Sequence, residues 1–237
     1  MSNERKMIYL CLAHMSDEGL EQKYIKEAFD TNWVVPLGPN VNAFEDDLKQ
    51  FVGKDQQGQE KEVVALSAGT AAVHLALIAC GVKAGDEVCV QSFTFCASSH
   101  PITYLGATPV FIDSEPGTWN MDPDLLEKAI LDRIEKTGKK PKAIVPVALY
   151  GMPYDCERIM AVAEKYDIPV IEDAAEGFGS KFKGQVLGTF GKFGVLSFNG
   201  NKMITTSGGG ALVCADAESK NKVMWYAPQA REAYPYY

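Results

Sequence analysis

Through the middle of the chain, short runs of apolar and β-branched residues alternate with longer stretches in which apolar residues recur every three or four positions. The short runs predict strands over Glu62–Leu66, Glu87–Val90, Thr108–Ile112, Ala143–Val147 and Ile168–Glu172, with a further one at Phe193–Leu196. The longer stretches predict helices from Gly69 to Cys80, through Ala97–Tyr104, near Pro123–Asp132 and near Cys156–Tyr166. Strands that are apolar at almost every position are buried on both faces, which is the pattern of a mostly parallel sheet covered by helices. Two amphipathic helices, roughly Glu18–Thr31 and Asn42–Phe51, come first, and Trp33–Pro39 between them reads as an arm. The polar stretch Gly53–Lys61 reads as a linker. The expected fold class is α/β, with an arm and helices over residues 1–53 and one large domain over residues 54–237.

Composition narrows the function classes more than the fold. With 237 residues, 46% hydrophobic and 23% charged, the chain has an ordinary globular mix able to bury one sizeable core. A net charge of −8, with no basic run beyond Lys139-Lys140, gives no electrostatic footprint for nucleic acid or anionic lipid. Cys11, Cys80, Cys89, Cys96, Cys156 and Cys214 form no CxxC pair, so neither a disulfide framework nor a metal site is indicated. The apolar runs fall short of the roughly 18 residues a membrane span needs. No cationic, apolar leader opens the chain. Small-molecule chemistry in a reducing cytoplasm is the expectation.

In an open α/β sheet, ligands sit at the carboxyl ends of the strands. After the first strand, Ser67-Ala68-Gly69-Thr70 opens a helix with small and hydroxylated residues, so backbone N–H groups and a positive dipole end suit a phosphate; a plain N-cap is the alternative. His74, inside that helix on a mostly apolar face, reads as packing. After the second strand, Phe93 and Phe95 bracket Thr94, and one of these aromatics would cover a flat ring, unless both are core. The fifth strand ends at Glu172-Asp173-Ala174-Ala175-Glu176. A carboxylate buried there is costly unless it faces a cation, whereas an acid capping the next turn is the bland alternative. Last, Ser197-Phe198-Asn199-Gly200-Asn201-Lys202 carries a lysine out of an apolar run into a loop that closes on Gly208-Gly209-Gly210. A solvated loop lysine competes with a lysine aimed at a ligand. A phosphate cradle, a ring cover, a buried acid and a lysine together meet the requirements of pyridoxal phosphate.

With these residues in view, the chain resembles the DegT/DnrJ/EryC1/StrS sugar aminotransferases, of the fold-type I pyridoxal-phosphate class. The resemblance runs through Pro36-Leu37-Gly38-Pro39, Ala68-Gly69-Thr70-Ala71-Ala72, Ser92-Phe93-Thr94-Phe95, Gly106–Phe111, Tyr150-Gly151-Met152-Pro153, Glu172–Glu176 and Ser197–Lys202. It implies a three-layer α/β/α large domain with a mostly parallel, mixed sheet. It also implies that Lys202 is the Schiff-base lysine and proton shuttle, and that Asp173 is the partner of the pyridine nitrogen. Ala68, Gly69, Thr70 and Ser197 would hold the phosphate, Phe95 would stack on the ring, Glu176 would approach the ring hydroxyl, and Asn199 would join the cofactor-binding set. The Asn199-Gly200-Asn201-Lys202 form is most similar to members that aminate nucleotide-linked 4-keto-6-deoxyhexoses. The implied partners are such a nucleotide sugar, an amino-acid donor, expected to be glutamate, and a second copy of the chain in a homodimer. The implied setting is cell-surface polysaccharide or glycan biosynthesis.

Three departures bear on that picture. Relatives often carry Gln or His where this chain has Glu176. Many carry a histidine just before the aromatic-glycine pair, where Ala148-Leu149 stand here. Relatives also continue beyond the position of Tyr237 into a carboxyl-terminal small domain. The chain is therefore expected to hold a cofactor-binding domain with an incomplete, weak or empty site, and its aromatic-rich end, Trp225 to Tyr237, is expected to be a surface meant to be covered. Two other functions compete: a non-catalytic cofactor-binding or assembly module, and a deoxygenating relative of the same group, a branch that lacks the lysine.

Overall fold

The computed structural model describes residue 7, residues 14–228 and residue 230. Helices α1 (Leu20–Asp30) and α2 (Pro39–Val52) lead into β1 (Glu62–Leu66), α3 (Gly69–Ala79) and β2 (Glu87–Gln91). A single 3-10 turn, Cys96–Ser98, and the short α4 (His100–Tyr104) replace the one helix expected there, before β3 (Thr108–Ile112), α5 (Pro123–Thr137) and β4 (Ala143–Val145). A second 3-10 turn (Leu149–Gly151), α6 (Cys156–Tyr166), β5 (Ile171–Asp173), the hairpin β6 (Lys181–Phe182) and β7 (Gln185–Val186), β8 (Phe193–Ser197), β9 (Gly210–Cys214) and α7 (Ala217–Tyr226) complete the order.

The main sheet runs β3-β2-β4, then β5-β8-β9-β1. Its two halves join through parallel bridges Ile144–Val170 and Val147–Asp173, with the Asp173 N–H donating to the Pro146 carbonyl at 2.9 Å. β2 pairs parallel with β3 and β4, and β5 with β8, whereas β9 lies antiparallel between β8 and β1. The sheet is thus mostly parallel but mixed.

Side-chain alternation along each strand splits the core into two layers. Cys89, Ile144, Leu196, Ala211 and Val213 face the layer closed by α2, α5 and α6. Val88, Val90, Ala143, Val145, Phe193, Val195 and Leu212 face the layer closed by α3, α4 and α7. The result is three layers, helices over both faces of a buried sheet. α2 belongs to this body, since Leu48 and Val52 are core residues and the Glu45 carboxylate accepts from the Ala65 N–H at 2.8 Å. The polar stretch after α2 is a turn tied down by the buried Lys61–Asp55 pair, 2.7 Å apart. Among the described residues, no helix is long and apolar enough to cross a membrane.

Capping follows local sequence. Asp122, Asp155 and Asp216 accept from N–H groups in the first turns of α5, α6 and α7. No side chain caps α3, and its open end faces the carboxyl edge of the sheet.

Candidate active site

A cavity of about 280 Å³ opens at the carboxyl ends of the parallel strands, and its wall includes Ala68, Gly69, Thr70, Phe95, Asp173, Glu176, Ser197, Asn199 and Lys202. All nine residues singled out in the sequence are brought to this one place, although the first and last are more than a hundred positions apart.

The register of β8 and β9 explains how the lysine arrives there. The two strands pair from Phe193–Cys214 to Ser197–Gly210, so residues 198–209 must leave the sheet as a loop at the cavity end. That loop is pinned at its neck: the Phe198 N–H donates to the Gly209 carbonyl, and the Thr206 N–H to the Phe198 carbonyl, both at 2.9 Å. The Phe198 ring is buried, edge-on to Phe44 of α2 at 5.4 Å and to Phe178 at 5.7 Å. The Lys202 side chain is only 15% exposed, and its Nζ lies 3.5 Å from Glu176 Oε1. This is not a solvated loop lysine.

Neighbouring acids on β5 point to opposite faces, as strand geometry requires. Glu172 turns into the far layer, where its carboxylate accepts from the N–H groups of Gly188 (3.0 Å), Phe190 (2.5 Å) and Gly191 (2.6 Å). Its work is to hold the 188–191 turn. Asp173 turns into the cavity wall. Its Oδ2 accepts from Ser98 Oγ at 2.5 Å and its Oδ1 from the Ala175 N–H at 3.2 Å. Burial pushes the Asp173 carboxyl above the usual range, against the lowering pull of the Ser98 hydroxyl, the Ala175 N–H and the Lys202 charge. A carboxylate in this position gains from a ligand cation, and a protonated ring nitrogen is a cation of the right kind.

At the mouth of α3, Gly69 and Ser197 touch. A side chain on Gly69 would meet Ser197 Cβ at 3.0 Å and Oγ at 3.2 Å, so the hydroxyl and the first helical N–H groups stand together. Gly210 is required behind them, because a Cβ there would lie 2.5 Å from the Gly69 nitrogen and collide with the Ala68 backbone. Uncapped N–H groups, a helix dipole and a hydroxyl make a phosphate-sized anion site. Phe95 is 73% exposed at the rim, free to lie over a planar ligand. Lysine, facing acid, anion site and ring cover therefore fit pyridoxal phosphate in donor set and charge.

Other residues escaped the sequence. Thr94 lines the cavity and its Oγ1 lies 2.8 Å from Ser98 Oγ. Gln91, fully buried at the end of β2, accepts through Oε1 from the Met121 N–H at 2.8 Å and the Val147 N–H at 3.3 Å. Asn120 accepts from the Leu149 N–H at 3.0 Å and donates to the Met152 carbonyl at 2.9 Å, fixing the loop in which Leu149 meets the cavity. That loop holds Tyr150 in the left-handed region (φ 51°), with its N–H donating to Glu176 Oε2 at 2.8 Å. A run of hydroxyls after the second strand was the visible signal for Thr94 and Ser98; nothing local marked Gln91 or Asn120. His74 is half-buried and packs edge-on to Tyr104 at 5.6 Å. Of the chain's aromatic-rich end, Trp225 and Tyr226 are exposed on α7, and Tyr234, Tyr236 and Tyr237 lie outside the described residues.

Residues 16–233 match the DegT/DnrJ/EryC1/StrS aminotransferase family. The chain is 52% identical over 232 residues to "Putative pyridoxal phosphate-dependent aminotransferase EpsN" of Bacillus subtilis, covering 98% of this chain and 58% of that protein. It is 39% identical over 223 residues to the GDP-perosamine synthase of Escherichia coli O157:H7, covering 94% of this chain and 58% of the relative. Among solved structures, a DegT DnrJ EryC1 StrS aminotransferase from Brucella abortus superposes with a TM-score of 0.81 at 32% identity, over 94% of this chain and 61% of the other. The chain thus spans a little under 60% of the length of these two curated relatives.

Proposed function

Because the chain belongs to the DegT/DnrJ/EryC1/StrS aminotransferase family, we propose that it forms the cofactor-holding part of a pyridoxal phosphate-dependent sugar aminotransferase. The reaction moves an amino group from an amino acid, glutamate in our reading, to the keto carbon of a nucleotide-linked 4-keto-6-deoxy sugar, leaving the 2-oxo acid. The name of the GDP-perosamine synthase relative supports a nucleotide-linked amino sugar as the product class. The observation that carries the proposal is the meeting of Lys202, Asp173 and the uncapped end of α3 in one cavity.

When bound, pyridoxal phosphate supplies an aldehyde that captures amines and a ring that withdraws electrons from the captured carbon. Lys202 Nζ would be the amine that holds the cofactor between turnovers and the group that carries a proton to and from the substrate carbon. Asp173 would keep the ring nitrogen protonated. The N–H groups of Gly69 and Thr70, with Ser197 Oγ, would bind the phosphate, while Ala68 and Asn199 complete the wall. Phe95 would cover the ring, and Glu176 would approach its hydroxyl. The lysine argues against a deoxygenating function, whose branch of the group lacks it.

The apolar surface supports a homodimer. None of the residues of α1 is buried, and Tyr24, Ile25 and Phe29 on it are all exposed. Beside the cavity-lining Leu149 and Lys202 in sequence, Tyr150 is 70% and Met203 77% exposed. A second copy that covers both patches is the partner we propose.

The test is a titration of the chain with pyridoxal phosphate followed by L-glutamate, and then by a panel of keto-sugar nucleotides with mass spectrometry of the products. Because all nine cofactor-facing residues line one cavity, the expected result, in place of the weak or empty site expected from the sequence, is a visible absorbance that glutamate discharges with formation of 2-oxoglutarate, followed by an aminated sugar nucleotide. An absorbance that no amino acid changes would mark a binding module instead, and no absorbance at all would end the proposal.

A further inference from the structure

Ser98 does not line the cavity, is 1% exposed, and ends the 3-10 turn that follows β2. Its hydroxyl proton is committed to Asp173 Oδ2 at 2.5 Å, because a carboxylate only accepts. The hydroxyl oxygen is then left to accept, and Thr94 Oγ1, 2.8 Å away, is the donor facing it. The relay runs Thr94 to Ser98 to Asp173, from cavity wall to buried acid. The Ala175 N–H also donates to the carboxylate, at the longer distance of 3.2 Å. The short charge-assisted bond from Ser98 therefore orients the Asp173 carboxylate, and with it the oxygen presented to the cavity.

We infer that Ser98 is a positioning residue for Asp173, oriented in turn by Thr94. This rests on the function proposed above, in which Asp173 faces the ring nitrogen of the cofactor. Ser98 acts through Asp173 and touches neither cofactor nor substrate. The other charged groups that Asp173 feels are Lys202 and Glu176, and both are unchanged in the variants below.

The experiment has a cofactor-free arm and a loaded arm. In the chain without pyridoxal phosphate, a carbon-detected NMR titration follows the Asp173 carboxyl in wild type, Ser98→Ala, Ser98→Thr and Thr94→Val. Removing a donor to the charged form raises the acid's pKa, so Ser98→Ala should shift the titration upward by roughly one unit and Ser98→Thr should restore it. Thr94→Val should shift it in the same direction by less. In the loaded chain, Ser98→Ala should keep pyridoxal phosphate affinity within about threefold, since the phosphate contacts remain, and lose about tenfold or more in kcat, with recovery in Ser98→Thr. An unmoved Asp173 titration in Ser98→Ala, or in Thr94→Val should Ser98→Ala not fold, overturns the inference. So does a Ser98→Thr variant that folds without restoring the titration. Wild type that binds no pyridoxal phosphate would instead sink the proposed function, leaving the first arm to judge Ser98 alone.

Discussion

Glu176 holds Lys202 and the neighbouring loop at once: Lys202 Nζ lies 3.5 Å from its Oε1, while its Oε2 accepts from the Tyr150 N–H at 2.8 Å. Tyr150 has a left-handed backbone that a bulky residue adopts only under constraint, and this carboxylate supplies part of it. Glu176→Ala should speed amide exchange at Tyr150 by about tenfold, the loss expected for a hydrogen bond to a charged group. Glu176→Gln, whose amide oxygen still accepts, should change it much less. Equal protection in all three proteins would separate Glu176 from the loop.

Asp173→Asn should leave the phosphate contacts intact, so cofactor binding is expected to persist. Turnover should fall by about 100-fold or more, the scale lost when one group facing developing charge is removed. The check is the rate of the glutamate half-reaction beside a cofactor titration. A rate near wild type would assign the ring nitrogen to another group.

Gly210→Ala should destabilise the fold by about 1–3 kcal/mol, because its methyl would enter the Ala68–Gly69 backbone at the open end of α3. Gly208→Ala, with nothing within 4 Å of the added atom, should stay within about 0.5 kcal/mol of wild type. Denaturant unfolding of the pair tests the close approach. Similar midpoints for both variants would contradict it.

Glu62 ties two helices to β1, accepting from Lys49 Nζ of α2 at 2.7 Å and Lys220 Nζ of α7 at 3.1 Å. The Lys49 hydrogen bond is the main cause that holds its carboxyl below the ordinary value of 4.5, with Lys220 assisting against partial burial. A depressed acid contributes stability that is present above its unfolded pKa and lost as pH falls through the folded one. Glu62→Gln should therefore cost about 0.5–1 kcal/mol at pH 7, and the deficit should shrink steadily below pH 4.5. Thermal melts across that range measure it, and a deficit independent of pH would contradict the ion-pair account.

What the sequence showed of the site followed from topology. Asp173 ends β5, Gly69 and Lys202 follow the carboxyl ends of β1 and β8, and apolar runs mark strand ends well. β9 was hidden because it begins at the last of three glycines, which read locally as a turn, yet its antiparallel pairing with β8 is what forces the lysine loop toward the cavity. The strand expected over Ala143–Val147 ends at Val145, because Pro146 has no N–H to continue the ladder. Glu172 and Asp173 looked alike in the sequence, and only the pleat assigns one to a turn and the other to the cavity. Ser98 lies 75 positions from Asp173, so no local pattern could pair them.

The claim that Lys202 is the residue that holds the cofactor is tested most directly by borohydride reduction of the chain with pyridoxal phosphate, followed by proteolysis and peptide mass spectrometry. The account predicts a cofactor adduct on the peptide containing Lys202, and its loss in Lys202→Ala. An adduct on another lysine, formed equally well in that variant, would contradict it.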